Sequence, residues 1–214
     1  RILIVIILLS LSNNTIFSQI VLNRDTSLEV KENGISFKFP FAGGINSGQF
    51  SEIDLNLDGI LDLLVFDKSG DKIIPFIKQN NEYKYAPEYR NNFPDTLHDW
   101  LLIYDYNCDG KNDLYTYSTG GMAIYKNTST TTLSFDLETP LVMSNYGNTP
   151  LSIFISPVDI PAISDIDNDG DLDILTFSVL GGFLEYHKNM SVELGNCDTI
   201  AFEFSESCWG LFYE

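Results

Sequence analysis

Three stretches of the chain set carboxylates and amides at alternate positions around a glycine. They read Asp54-Leu-Asn56-Leu-Asp58-Gly59-Ile60-Leu-Asp62, Asp105-Tyr-Asn107-Cys-Asp109-Gly110-Lys111-Asn-Asp113 and Asp165-Ile-Asp167-Asn-Asp169-Gly170-Asp171-Leu-Asp173. The shared pattern is D-x-[DN]-x-D-G-x-x-D. In a curled loop, the side chains at positions 1, 3 and 5 converge on one point. Glycine at position 6 permits the bend that a Cβ would oppose. The backbone carbonyl at position 7 (Ile60, Lys111 or Asp171) and the aspartate at position 9 (Asp62, Asp113 or Asp173) complete the shell. About five to seven oxygens then face one point, a set that suits calcium better than magnesium. We expect about three calcium sites on this count. The third loop, with five aspartates, is expected to bind most tightly, because ligand charge tunes affinity.

An EF-hand is excluded on two grounds. It needs Glu at position 12 and flanking helices, whereas position 12 here is Val65, Thr116 or Thr176 and the flanks read as strands. Metal-free Asp/Asn/Gly turns are the plain alternative. Three such turns in phase, each with the same aspartate at position 9, argue against it.

The elements that must position the loops repeat with them. Strand-like runs precede the loops at 49–53, 100–104 and 162–164. Others follow directly at 62–66, 113–117 and 173–177. After glycine turns at Gly70, Gly120-Gly121 and Gly181-Gly182 come third runs that end in Lys78-Gln-Asn80, Lys126-Asn127 and Lys188-Asn189. Fourth runs are expected at 83–85, 133–135 and 200–204. From Asp54 to Asp105 is 51 residues and from Asp105 to Asp165 is 60. Four-stranded units of that length match the blades of a β-propeller. No helical period persists beyond a turn or two. The expected fold is all-β, with antiparallel four-stranded blades at about 45–95, 96–155 and 156–208. Trp209-Gly-Leu-Phe-Tyr, similar to Trp100-Leu-Leu-Ile-Tyr, would start another blade at 209–214. Three blades do not close a ring, so the chain is expected to be part of a larger propeller.

Before the repeats, Leu28 to Phe39 alternates around Asn33-Gly34 and predicts a hairpin with a type I′ turn, within a separate segment at 19–44. Residues 1–18 resemble a trimmed secretory signal: an apolar run follows Arg1, and small and polar residues lead to Ser18. The run is too short to span a bilayer. With cleavage near Ser18–Gln19, the mature protein is expected to be secreted or at the cell surface, with no membrane span.

The formal charge is −18, from 12 basic and 30 acidic residues. Phosphate backbones would be repelled, so nucleic acid is excluded as a partner. Eleven of the 30 acids lie in the three loops, which concentrates charge at cation sites. Of the three cysteines, Cys197 and Cys208 are close in sequence and could pair in an oxidising compartment. Three unpaired thiols are the alternative. Cys108 lies in the second loop, at a position that need not face the metal.

The strand–loop–strand repeat resembles the FG-GAP or VCBS-type repeat, the blade unit of integrin α-chain-like propellers, over residues 45–214. Gly43-Gly44-Ile-Asn-Ser-Gly48-Gln-Phe50 is similar to secreted bacterial members of this group. The Phe-Gly…Gly-Ala-Pro signature of the family is present only in parts. The resemblance implies a propeller with structural calcium in the loop between the first two strands of each blade. It also implies extracellular adhesion or ligand binding.

Catalytic constellations are sparse. His98 and His187 are the two histidines, and no G-x-S-x-G, P-loop or H-E-x-x-H occurs. His187 falls on a repeated strand and reads as a packed residue. His98 lies in a polar segment and reads as a surface residue. The loop carboxylates serve one cation geometry rather than acid–base work. The expected function is a non-enzymatic, calcium-binding module for an extracellular protein or polysaccharide. The alternative is an accessory propeller of a larger extracellular enzyme.

Overall fold

The computed structural model of the chain describes residues 28–211. The leader-like run and its expected cleavage point lie outside these residues, as do residues 212–214. The chain divides into two compact units, Arg1–Phe41 and Ala42–Glu214. In the first, β1 (Lys31–Glu32) and β2 (Ile35–Ser36) pair antiparallel. Asn33 and Gly34 have φ of 51° and 82°, the two positive values a type I′ turn requires.

The second unit is built of antiparallel sheets taken from consecutive strands. The first sheet holds β3 (Gly48–Ile53), β4 (Asp62–Asp67), β5 (Lys72–Gln79) and β6 (Glu82–Tyr85), in that order. The next holds β7 (Leu101–Tyr104), β8 (Asp113–Ser118), β9 (Gly121–Asn127) and β10 (Phe135–Thr139). The third contains β13 (Ala162–Ser164), β14 (Asp173–Phe177), β15 (Leu184–Asn189) and β16 (Phe202–Glu206). None of these sheets closes on itself. Among the described residues, the only helical segments are 3-10 turns at Pro87–Asn92 and Trp209–Leu211. Trp209–Leu211, expected to open a further strand, is instead a turn with Gly210 at φ 64°.

The third sheet differs from expectation. A hairpin of β11 (Met143–Tyr146) and β12 (Thr149–Ser152) adds to its edge, with β11 parallel to β16, so the sheet has six strands. The sequence division placed this segment with the second blade. Pro150 in β12 fits an outer strand, where no ladder donor is needed. The turn between β11 and β12 uses Gly147 at φ 70°.

Strand alternation gives the middle sheet two buried faces. On β8, Leu114 joins a core with Ile53, Leu64, Phe66 and Leu101, while Tyr115 joins another with Trp100, Met122, Ile153 and Ile174. Successive side chains point to opposite faces, so a strand covered on both sides reads as a continuous apolar run. Each fully buried aliphatic side chain contributes about 1.5–3 kcal/mol relative to exposure. Val142 and Ile153, which flank the added hairpin, belong to the second core.

His187 on β15 illustrates the fit of the added hairpin. Its side chain has no exposed surface, and its Nδ1 lies 3.0 Å from Ser144 Oγ. The rings of Tyr146 and Phe204 flank it at 5.9 and 5.6 Å. Burial pushes its pKa down to about 4. Glu185 lies 3.9 Å from Nε2, but burial also raises the pKa of that carboxyl, so it is a weak counter-charge. The folded state therefore resists protonation that the unfolded chain accepts near pH 6.5. This contribution is complete above about pH 7 and declines toward pH 4, by up to about 3 kcal/mol. Urea midpoints at pH 7 and 4.5 should fall less for His187→Gln than for the parent; an identical fall would refute the assignment.

Candidate metal centre

All three acidic loops occupy the same place, the connection from the first strand of each run, β3, β7 or β13, which lies at a sheet edge, to the strand paired beside it. The register is also common to all. Ile53 pairs with Asp62, Tyr104 with Asp113, and Ser164 with Asp173, so position 9 always opens the second strand.

Within each loop the expected ligands order the backbone. The position-1 carboxylates of Asp54, Asp105 and Asp165 accept N–H bonds from positions 5 and 6. Among these are Gly59 at 2.8 Å, Gly110 at 2.8 Å and Gly170 at 3.2 Å. Asn56, Asn107 and Asp167 accept from the position-5 N–H. Asp58, Asp109 and Asp169 accept from the N–H of Ile60, Lys111 and Asp171 at 2.8, 2.9 and 3.2 Å. Such Asx-type bonds hold a tight turn. Glycine at position 6 has φ of 82°, 79° and 107°. Position 4 is left-handed too, with φ of 61° at Leu57, 61° at Cys108 and 63° at Asn168. A left-handed conformation costs a non-glycine residue roughly 1–2 kcal/mol, so the loop's bonds must hold position 4 in place, whereas glycine at position 6 adopts such a φ freely.

Position 9 is a hub. Asp62, Asp113 and Asp173 are fully buried. One oxygen accepts from the position-2 N–H of Leu55, Tyr106 or Ile166 at 3.0, 3.0 and 2.9 Å. The other accepts from the third strand, at Lys78, Asn127 or Asn189, at 2.7, 2.7 and 2.8 Å. Tyr186 also donates its hydroxyl to Asp173 at 3.1 Å. Burial dominates these bonds and raises the pKa of all three carboxyls, that of Asp113 to about 6. A buried anion in that state favours a neighbouring cation.

The loops differ in how closely their carboxylates gather. Among the described residues, two groups of three acidic oxygens lie within 4.8 Å of one another, and both involve the third loop. One is Asp165, Asp167 and Asp173; the other is Asp169, Asp171 and Glu193. This all-oxygen set fits a hard divalent cation. In the first two loops position 3 is an asparagine, whose Nδ2 points to the position-5 carboxylate, at 2.9 Å for Asn56 and 3.5 Å for Asn107.

Four contributors, two lysines and two acids, went unread in the sequence. The third strand ends in a lysine that turns over the neighbouring loop. Lys188 Nζ contacts Asp167, Asp169 Oδ2 at 3.1 Å and Glu193 Oε1 at 2.6 Å. Lys126 instead reaches Asp198 at 2.8 Å, and the same Asp198 oxygen accepts from Asn107 at 3.2 Å. The repeated Lys-Asn ending was the signal for these lysines. Nothing local in the sequence points to Glu193 or Asp198, which come from the 190–199 connection.

The cysteine pairing differs from expectation. Cys108 and Cys197 form a disulfide with Cα atoms 5.9 Å apart, and Cys208 is free. Strand β16 separates Cys197 from Cys208, and five extended residues span about 16 Å. Folding instead brings the 190–199 connection against the second loop. Asn127 and Asn189, at the shared ends of the third strands, are buried and donate to Asn112 O and Leu172 O, so they brace the repeat.

A groove of about 510 Å³ runs beside the first and second loops, lined by Ile53, Asp54, Leu57, Leu61, Lys111 and Asn127 among others. His98 stands apart, 2.6 Å from Asp99 and edge-on to Tyr117.

An all-β unit of consecutive, largely antiparallel sheets, each with an acidic turn from its edge strand β3, β7 or β13 to the strand beside it, defines a repeat protein. Residues 105–176 match the model of the FG-GAP-like repeat. The match begins at the first aspartate of the second loop and ends within β14, after the third. No curated protein and no solved structure matches the chain.

Proposed function

We propose that the chain is a calcium-stabilised propeller module that binds an extracellular protein or polysaccharide and performs no chemistry of its own. The observation that carries this reading is the recurrence of one acidic turn, in one register, at three sheet corners. The FG-GAP-like repeat at residues 105–176 supports it, because such repeats build propeller blades used for binding. In this reading each of the three sheets is a blade, with the β11–β12 hairpin added to the third, the leader directs export, and the loops meet millimolar calcium outside the cell. Bound calcium supplies the positive charge that offsets the buried carboxylates.

The residues have separate parts. Asp54, Asn56, Asp58, Asp62 and the Ile60 carbonyl serve the first ion. Asp105, Asn107, Asp109, Asp113 and the Lys111 carbonyl serve the second. Asp165, Asp167, Asp169, Asp173 and the Asp171 carbonyl serve the third. The groove between the first two loops is the surface we assign to a partner, since it joins apolar Leu57 and Leu61 to Lys111 and Asp54.

Calorimetry in calcium and in EDTA tests the metal half of the proposal. Calcium should raise the melting temperature by several degrees at a hundred-fold excess over Kd, where linkage gives about 2.7 kcal/mol per site. Identical melting in the two conditions would remove the calcium assignment. Binding to extracellular matrix proteins and a polysaccharide array, repeated with Leu61→Asp, tests the groove. Unchanged capture by that variant would place recognition elsewhere.

A further inference from the structure

The third loop carries more acid than one cation needs. Asp171 stands at position 7, where only the backbone carbonyl is required, yet its side chain turns inward and the residue is 4% exposed. One carboxylate oxygen, Oδ2, accepts from Ser191 Oγ at 2.8 Å and from the Val192 N–H at 3.0 Å. These two bonds fix its orientation. The other oxygen, Oδ1, is buried and no donor reaches it. Its acidic neighbours are Asp169 and Glu193, with one oxygen from each of the three residues within 4.8 Å of the others.

Lys188 does not complete this cluster. Its ammonium contacts Asp167, Asp169 and Glu193, and no contact to Asp171 accompanies these. Four carboxylates around one ammonium leave a formal excess of three negative charges. A buried carboxylate oxygen without a partner is costly, and so is like charge held at this distance. A hard divalent cation answers both, because it accepts the free Asp171 oxygen and neutralises Asp169 and Glu193 together.

We propose that the third loop holds two divalent cations, the second bound by the carboxylates of Asp169, Asp171 and Glu193. The inference rests on the reading of the loops as cation sites and adds a site that the other two loops lack. Position 7 is Ile60 in the first loop and Lys111 in the second. The Lys111 ammonium goes to Ser129 O at 2.9 Å, the position that corresponds to Ser191. A fixed cation there replaces the carboxylate that the third loop offers. Asp169, at position 5 of the loop, is counted in both sets and would be shared by the two ions.

Equilibrium dialysis of the full chain against calcium tests this, with Glu193→Gln, Asp171→Asn and Asp165→Asn, and Glu203→Gln as a surface-charge control. Glu193→Gln and Asp171→Asn should each lose one calcium equivalent, or weaken one class of site at least tenfold, while Glu203→Gln binds as the parent does. Glu193 is partly exposed and Asn retains the acceptor that faces Ser191, so both variants are expected to fold; circular dichroism checks this. If both variants match the parent while Asp165→Asn loses an equivalent, the second site is refuted and the loop reading stands. That result would mean that Lys188, or a proton shared by Asp169 and Asp171, balances the cluster. If the parent binds no calcium, both readings fall.

Discussion

Replacing Asp173 with alanine is expected to cost about 4 kcal/mol of stability even with chelator present. The reason is the hydrogen bonding at position 9. Three donors end on this carboxylate: the N–H groups of Ile166 and Asn189 and the hydroxyl of Tyr186. The residue is fully buried, so alanine would leave these donors without partners. Each orphaned buried donor costs about 1–3 kcal/mol. Relief of the buried negative charge and entry of water offset part of the sum. The total is a large share of the 5–15 kcal/mol typical of a domain. Urea denaturation of the variant and the parent, in EDTA and in calcium, separates the two roles. The chelator arm reports the hydrogen bonds, and any further difference in calcium reports the ion. A loss below about 1 kcal/mol in EDTA would show that position 9 acts only as a ligand. Asp165→Ala should behave oppositely, with a smaller loss in EDTA and a larger one in calcium, because its bonds lie on the exposed turn.

The second large effect is that of the disulfide. Cys108 and Cys197 are 89 residues apart in sequence. Closing a loop of that length restricts the unfolded chain, and the chain-entropy account gives about 4–5 kcal/mol. The cross-link also fixes the second acidic loop to the connection that delivers Asp198, whose carboxylate holds Asn107 and Lys126. Cys197→Ser should therefore lower the urea midpoint by several kcal/mol equivalent and loosen the second loop. The same shift should appear in the parent on full reduction, and reduction should leave the variant unchanged. Thiol titration of the denatured, unreduced chain is expected to give one free thiol, from Cys208. Three thiols, or a Cys197→Ser variant as stable as the parent, would refute the bridge as a source of stability.

Local chemistry made much of this molecule legible. The Asn33-Gly34 turn, the three acidic turns and the strands on either side depend on neighbours a few residues apart. Their φ requirements and apolar alternation are therefore written in short windows. The strands beginning at Asp62, Asp113 and Asp173 start where the pattern placed them. The β11–β12 hairpin was not legible, because Met143-Ser-Asn-Tyr146 and Thr149-Pro-Leu-Ser152 are half polar and carry a proline. They become strands by pairing with β16 and with each other. The fourth strand of the second sheet also begins two residues later than the apolar run implied, at Phe135. Leu133 is instead spent on the first core.

The sequence alone determined the composition of each loop: which oxygens are present, where glycine allows the bend, and that the third loop is the most acidic. Those properties belong to consecutive residues. The tertiary structure decided which groups from far along the chain complete the loops. Lys188, Glu193, Asp198 and Cys197 arrive from the third strand and the connection after it, 15 or more residues beyond the loops that they meet. It also decided that position 9 serves as a buried acceptor for two or three donors. Apart from the repeated Lys-Asn strand ending, none of this has a sequence signature, because burial and long-range contact arise only when the sheets pack and their connections fold back over the acidic turns.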